Sequence, residues 1–106
     1  LVGRYRDFAM GLLANVTSTQ RWGIPAVAGG GWRLWFKGGW RPSGQEGTTG
    51  AVTHQAALLV HRSGQRLGLA VLSNEAPGEG GGFSAIEGIT ERLLAKPPRF
   101  GRWSAP

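Results

Sequence analysis

The residues best suited to chemistry lie at the end of a predicted strand. Lys37 follows an alternating segment and is followed at once by Gly38 and Gly39. A cation at a strand end, next to glycines that leave backbone N–H groups accessible, can hold an anion or stabilise an oxyanion. The sequence therefore indicates an anion site in outline at this strand end.

Other catalytic and metal chemistries find little support in the sequence. Asp7 is the only aspartate and falls in the first predicted helix, and no serine lies in a G-x-S-x-G elbow, so a Ser/His/Asp triad is not expected. His54 and His61 lack carboxylates at ligand spacing, and the glycine clusters match neither a dinucleotide-binding nor a Walker pattern. We predict no metal and no cofactor.

Size and composition favour a single folded unit. The chain has 106 residues, of which 41% are hydrophobic and 17% charged, so residues 1–106 are taken as one domain or part of one. No apolar run has the roughly 18 residues that a membrane span requires. The net charge of +6 comes from scattered arginines, which favours a solvated surface over a nucleic-acid site. A small basic module for nucleic acid or another anionic polymer is the alternative function.

The hydrophobic periodicity predicts the order α, β, β, β, α. Helical spacing covers residues 4–16, and strand alternation covers residues 32–37, about 51–61, and 66–73. A last helical stripe ends before Pro97. The expected fold class is α+β, of the α/β sandwich type, with a three-stranded antiparallel sheet flanked by the N- and C-terminal helices.

Glycines set two of the predicted boundaries. The first strand is expected to end at residues 37–39, where the glycine pair begins. Residues 78–82 are expected to form a flexible loop, and Ser84-x-x-Glu87 matches a capping box that would start the last helix.

A two-residue turn at Ser63-Gly64 fixes the predicted register of the second hairpin. It would place Val60 opposite Leu67 and so define two sheet faces. The bulky face, which a helix must cover, would comprise Trp32, Leu34, Phe36, Ala56, Leu58, Val60, Leu67, Leu69 and Val71. The other face would carry smaller residues and need cover from outside the chain: Ala57, Leu59, Gly68, Ala70 and Leu72.

The order of elements resembles a known family. A helix, residues 22–26 (Trp-Gly-Ile-Pro-Ala), a glycine turn, residues 32–40 and two further strands before a final helix are similar to the C-terminal part of serine β-lactamases. The family is that of class A β-lactamases and penicillin-binding proteins, whose K-T-G box is matched by residues 37–39 at two of three positions. The resemblance implies that residues 1–106 are the C-terminal portion of one β-lactamase-like domain.

The resemblance also implies roles for individual residues. Lys37 would supply positive potential to a substrate carboxylate, and the backbone N–H of Trp40 would help form an oxyanion hole. Gly38, Gly39 and Thr53 would contact the substrate, with Thr53 on the face that carries Lys37. Gly38 stands where the family has a Ser or Thr hydroxyl. The substrate would be a small molecule or a peptide with a carboxylate.

The sequence departs from the family in lacking a nucleophile. None of its serines is followed by a lysine three residues later, so there is no S-x-x-K, and there is no S-D-N box. By resemblance, the intact protein would be a serine hydrolase whose nucleophile lies in a missing N-terminal portion, and it would be secreted or located in the cell envelope. The chain alone is not expected to turn over substrate.

Overall fold

The computed structural model describes residues 2–42, 44, 50–76 and 79–96. Its helices and strands are α1 (Gly3–Ala14), a short 3₁₀ turn (Ser18–Gln20), α2 (Ile24–Val27), β1 (Trp32–Arg41), β2 (Ala51–His61), β3 (Arg66–Ala76) and α3 (Glu79–Ala95). The expected α+β class and the three-stranded antiparallel sheet are confirmed. Among the described helices, none is long and apolar enough to cross a membrane.

The sheet has the order β1-β2-β3 and separates two unequal layers. One side, which we call the core face, packs against α3 and α2. Its buried apolar residues are Ile24, Leu59, Leu67, Val71 and Ile86, with Phe36 buried beside them. The other side, which we call the outer face, is approached by α1, a helix with no buried residue. The folding energy of this unit therefore comes mainly from the core face.

The predicted register between β2 and β3 is wrong by one residue. Leu59 pairs with Leu67, whereas the sequence pattern placed Val60 there. The cause is the hairpin loop, which spans residues 62–64 rather than two residues. Gly64 adopts φ +92° and its N–H donates to the carbonyl of His61 at 2.8 Å. A left-handed third residue of this kind is typical of three-residue hairpins.

The register shift exchanges the two faces of β2. Ala57 and Leu59 point to the core face, while Ala56 and Leu58 belong to the outer face. Each was predicted on the opposite side, as a one-residue slip requires. The outer face still carries small and apolar residues without full cover, since Leu72 is 73% exposed.

Strand β1 is longer than its glycine pair suggested. It runs through Gly38 and Gly39 to Arg41, because β2 continues opposite it: Gly39 pairs with His54, and Trp40 with Thr53. Glycine weakens a strand when nothing else holds it, but a paired neighbour supplies the ladder. The expected end at residues 37–39 is therefore incorrect, and Lys37 lies within the strand.

Helix α3 also begins earlier than expected. It starts at Glu79, so three glycines of the predicted loop, Gly80, Gly81 and Gly82, are helical, and Ser84 lies inside the helix rather than at its N-cap. Gly78 lies outside the described residues. The reason is a close approach: a Cβ on Gly82 would come within 3 Å of the side chain of Thr53 on β2. Packing against the sheet thus outweighs the low helix propensity of glycine.

Candidate functional site

The free edge of β1 is the structural setting of the predicted site. In an antiparallel pair, alternate residues direct their N–H and C=O groups to the partner strand. The N–H of Arg62 donates to the carbonyl of Gly31 at 2.9 Å, so odd-numbered residues of β1 bond to β2. Gly38 and Trp40 therefore direct their backbone groups away from β2. No strand among the described residues pairs with that edge.

Lys37 brings its charge to this edge. Its side chain is exposed on the outer face, and its ammonium group donates to the carbonyl oxygen of Gly38. A lysine ammonium has three N–H donors, so this contact leaves others for a ligand. The ammonium group thus lies next to the outward-facing backbone of Gly38.

Trp22 closes the opposite side of the same edge. A Cβ added to Gly38 would lie 2.8 Å from Cη2 and Cζ2 of the Trp22 indole. The indole in turn stacks on Phe83, with ring centroids 4.4 Å apart and planes 14° from parallel. The space that a Ser or Thr side chain at position 38 would need is therefore filled by an aromatic ring. Gly39, in contrast, has nothing within 4 Å of an added Cβ.

Thr53 does not share a face with Lys37. It is fully buried on the core face, pairs with Trp40, and lies against Gly82 of α3. The prediction that Thr53 shares a face with Lys37 is wrong because the predicted β2–β3 register is shifted by one residue. His54 occupies the outer face instead, opposite Gly39 and diagonal to Lys37. Its Nδ1 is buried and has no hydrogen-bond partner among the described residues.

The side chains of Gln55 and Glu87 form a polar clamp on the backbone of residues 22–24, which the sequence pattern does not predict. The buried amide of Gln55 accepts from the N–H of Ile24 at 2.6 Å and donates to the carbonyl of Trp22 at 2.7 Å. A carboxylate oxygen of Glu87 accepts from the N–H of Gly23 at 3.3 Å. The sequence pattern gives no signal for this clamp, because the predicted register places Gln55 on the other face of the sheet.

These groups can bind an anion but hold no nucleophile in position. The edge offers one ammonium group and outward N–H groups spaced by two residues, roughly 7 Å apart in a strand. No three His, Asp or Glu side chains within the described part of the chain could together hold a metal ion. The arrangement therefore suits electrostatic recognition or stabilisation of negative charge, and a covalent step needs a group from elsewhere.

Comparison of the chain with known protein families, with curated proteins and with solved structures finds no match.

Proposed function

We propose that this chain forms the lysine-bearing edge of a β-lactamase-like or transpeptidase-like serine hydrolase. In this proposal Lys37 attracts a substrate carboxylate, and the N–H of Trp40 stabilises the oxyanion of the reacting carbonyl. The serine nucleophile comes from a portion of the protein outside residues 1–106. A secreted or envelope location belongs to the same proposal.

One observation carries the proposal. Lys37 places its ammonium group beside the carbonyl of Gly38, on the edge of the sheet whose N–H groups face outward. A cation and preorganised backbone donors at one edge are the groups that stabilise charge developing on an acyl transition state. The sheet order supports it further, because β1 is an edge strand that another part of the protein can approach.

The structure changes two details of the expected site. Trp22 fills the space beyond Gly38, so the carboxylate would depend on Lys37 without a neighbouring hydroxyl. His54 replaces Thr53 as the β2 residue on the Lys37 face. With its buried Nδ1 lacking a partner among the described residues, His54 is a candidate to orient the substrate end nearest Gly39.

The test uses the natural protein that contains residues 1–106, which by this proposal extends beyond them. It should contain an S-x-x-K on a helix and should hydrolyse a chromogenic β-lactam, a D-alanyl peptide, or an activated ester. In that protein Lys37→Ala should lower kcat/KM by about a hundredfold, in line with loss of one oxyanion-type contact.

Arg62→Ala is the matched control. Arg62 is an exposed cation of the hairpin at the opposite end of β2 from His54, so its loss should change neither kinetics nor folding. Equal kinetics for Lys37→Ala and Arg62→Ala would remove Lys37 from the site. Absence of any S-x-x-K from the natural protein would refute the hydrolase assignment.

A basic binding surface is the second candidate. Arg33 and Lys37 are exposed on the outer face of β1, and the guanidinium of Arg33 lies 4.9 Å from the ring centroid of Trp35. Cations interleaved with an aromatic ring suit single-stranded nucleic acid. Binding of single-stranded oligonucleotides that weakens with salt and with Arg33→Ala would favour this function.

A further inference from the structure

A pocket lies between α1 and the outer face, next to the polar edge of β1, and the pocket and the edge share Lys37. Its volume is about 290 Å³, and it is lined by Met10, Leu13, Trp35, Phe36, Lys37, Ala56, Ala57 and Leu58. This volume is just below the usual range of small-molecule sites, about 300–1,000 Å³. The pocket therefore has room for one small ligand.

The walls of this pocket are apolar. Met10 and Leu13 are three residues apart on α1, so they point to the same side of the helix and form the roof. Trp35, Ala56 and Leu58 of the outer face form the floor, where Ala56 and Leu58 are exposed to solvent. Such walls favour an aliphatic chain.

One charged side chain lines this pocket. Lys37 is the single ionisable residue in the lining that the structure describes, and its side chain is exposed, so its ammonium group lies at the solvent side. Ala56 is directly opposite Lys37 in the β1–β2 ladder, so the cation and the apolar floor are neighbours.

The combination specifies an amphipathic anion. An uncharged hydrocarbon would make no ionic contact with the ammonium group, and a small inorganic anion would leave the apolar walls exposed to water. A single ammonium group, without an arginine fork, matches one carboxylate better than a phosphate with more charge to neutralise. We propose that the pocket binds a medium-chain aliphatic carboxylate, with the chain beneath α1 and the carboxylate on Lys37.

This proposal does not rest on the proposed function, although both use Lys37. It requires no nucleophile and no turnover, so binding is measurable with the 106-residue chain. Hydrolysis by the longer protein without carboxylate binding would leave the hydrolase proposal intact. Carboxylate binding without any hydrolysis would leave the present one intact.

The experiment is a titration with octanoate, decanoate and decanol below their aggregation concentrations. Calorimetry gives the affinity, and shifts of the Met10 methyl and Trp35 indole signals in NMR locate the ligand. We expect saturable binding of one decanoate, about fifteenfold tighter than octanoate for two extra methylenes. Decanol should bind about threefold to fivefold more weakly than decanoate, which is the contribution of an exposed ion pair.

Two variants test the two parts of the pocket. Lys37→Met keeps an unbranched apolar side chain and removes the charge, so it should abolish the preference for decanoate over decanol. Ala56→Leu should fill the floor and abolish binding of both ligands. Ala26→Leu is the control, because Ala26 is exposed on α2 and does not line the pocket.

Three outcomes would overturn the proposal. The first is equal affinity for decanoate and decanol, and the second is an unchanged preference in Lys37→Met. The third is unsaturable uptake of several ligands, which would identify the pocket as general apolar surface. Since Lys37 is exposed, Lys37→Met should fold normally and remains decisive even if Ala56→Leu does not fold.

Discussion

The indole of Trp22 lies against the α-carbon of Gly38. An added Cβ would approach two ring atoms to 2.8 Å, a distance at which one of the two residues must move. The ring cannot move freely, because it stacks on Phe83 and its own backbone carbonyl is held by Gln55. Glycine at position 38 is therefore a requirement of packing on the core face, whatever its role at the edge.

Gly38→Ser should destabilise the protein by about 1–3 kcal/mol, the usual cost of overpacking. Gly39→Ser is the matched control, since nothing lies within 4 Å of its added Cβ. Thermal or urea unfolding of both variants measures the difference, and equal stabilities would show that Trp22 does not occupy this space.

The clamp at Gln55 should be one of the most sensitive polar positions. Gln55→Leu keeps the size of the side chain but leaves the N–H of Ile24 and the carbonyl of Trp22 without their partner. The expected loss is about 2–4 kcal/mol in the free energy of unfolding, since each buried unsatisfied group costs about 1–3 kcal/mol.

Gln65→Leu provides the comparison for Gln55→Leu. Gln65 is exposed in the hairpin and contributes only its backbone carbonyl, which accepts from His61. Its replacement should change stability by less than about 0.5 kcal/mol. A Gln55→Leu protein as stable as Gln65→Leu would mean that water replaces the amide.

The sequence predicted the elements of the fold where hydrophobic periodicity was strong. It did not predict the bounds or the register where glycine decided the backbone geometry. The predicted bounds of α1, residues 4–16, differ from the observed Gly3–Ala14 by one and two residues, and the predicted bounds of β2 agree with the observed ones. The register was lost at Gly64, since a two-residue and a three-residue loop both suit a Ser-Gly pair. The hydrogen bonds distinguish them, because the N–H of His61 donates to the carbonyl of Gln65 and the N–H of Gly64 to the carbonyl of His61.

The error in the predicted β2–β3 register also affects the candidate site. Lys37 and Trp40 lie on the same strand, although the predicted strand ended at residues 37–39. Thr53 was misplaced because its face depends on pairing, and Gln55 was missed because its partners lie 31 and 33 residues away in sequence. Pairing and long-range contacts are properties that no local pattern encodes.

The register itself is testable with two adjacent leucines of β2. Leu59 is fully buried and Leu58 is 36% exposed, the reverse of the order that a two-residue turn would give. Leu59→Ala should cost about 2–5 kcal/mol through loss of burial and creation of a cavity. Leu58→Ala should cost less than about 1 kcal/mol, since part of that side chain is already in water. Chemical denaturation of both variants compares them, and a larger loss for Leu58→Ala would reinstate the two-residue turn.

Two glycine-to-alanine substitutions in helix α3 should change the stability of the protein in opposite directions. Gly80 and Gly82 are both in the first turns of the helix, where alanine has an intrinsic advantage of about 0.8–1 kcal/mol over glycine. Nothing lies within 4 Å of a Cβ at Gly80, so Gly80→Ala should raise the stability by up to that amount. A Cβ at Gly82 would come within 3 Å of Thr53, a fully buried residue of β2 that has no room to withdraw. The helix or the strand must then shift, and Gly82→Ala should lower the stability by about 1–3 kcal/mol despite the better propensity.

The thermal midpoints of the two variants should therefore move in opposite directions. For a domain of this size, 1 kcal/mol corresponds to roughly 4–8 °C, so the separation is well within the precision of circular dichroism. Thr53→Ala in the Gly82→Ala background should recover part of the loss, because it removes the hydroxyl oxygen, which is the Thr53 atom nearest the added Cβ. Stabilisation by both alanine substitutions would mean that α3 does not pack on β2 at Thr53, and residues 79–82 would then have to be placed away from the sheet.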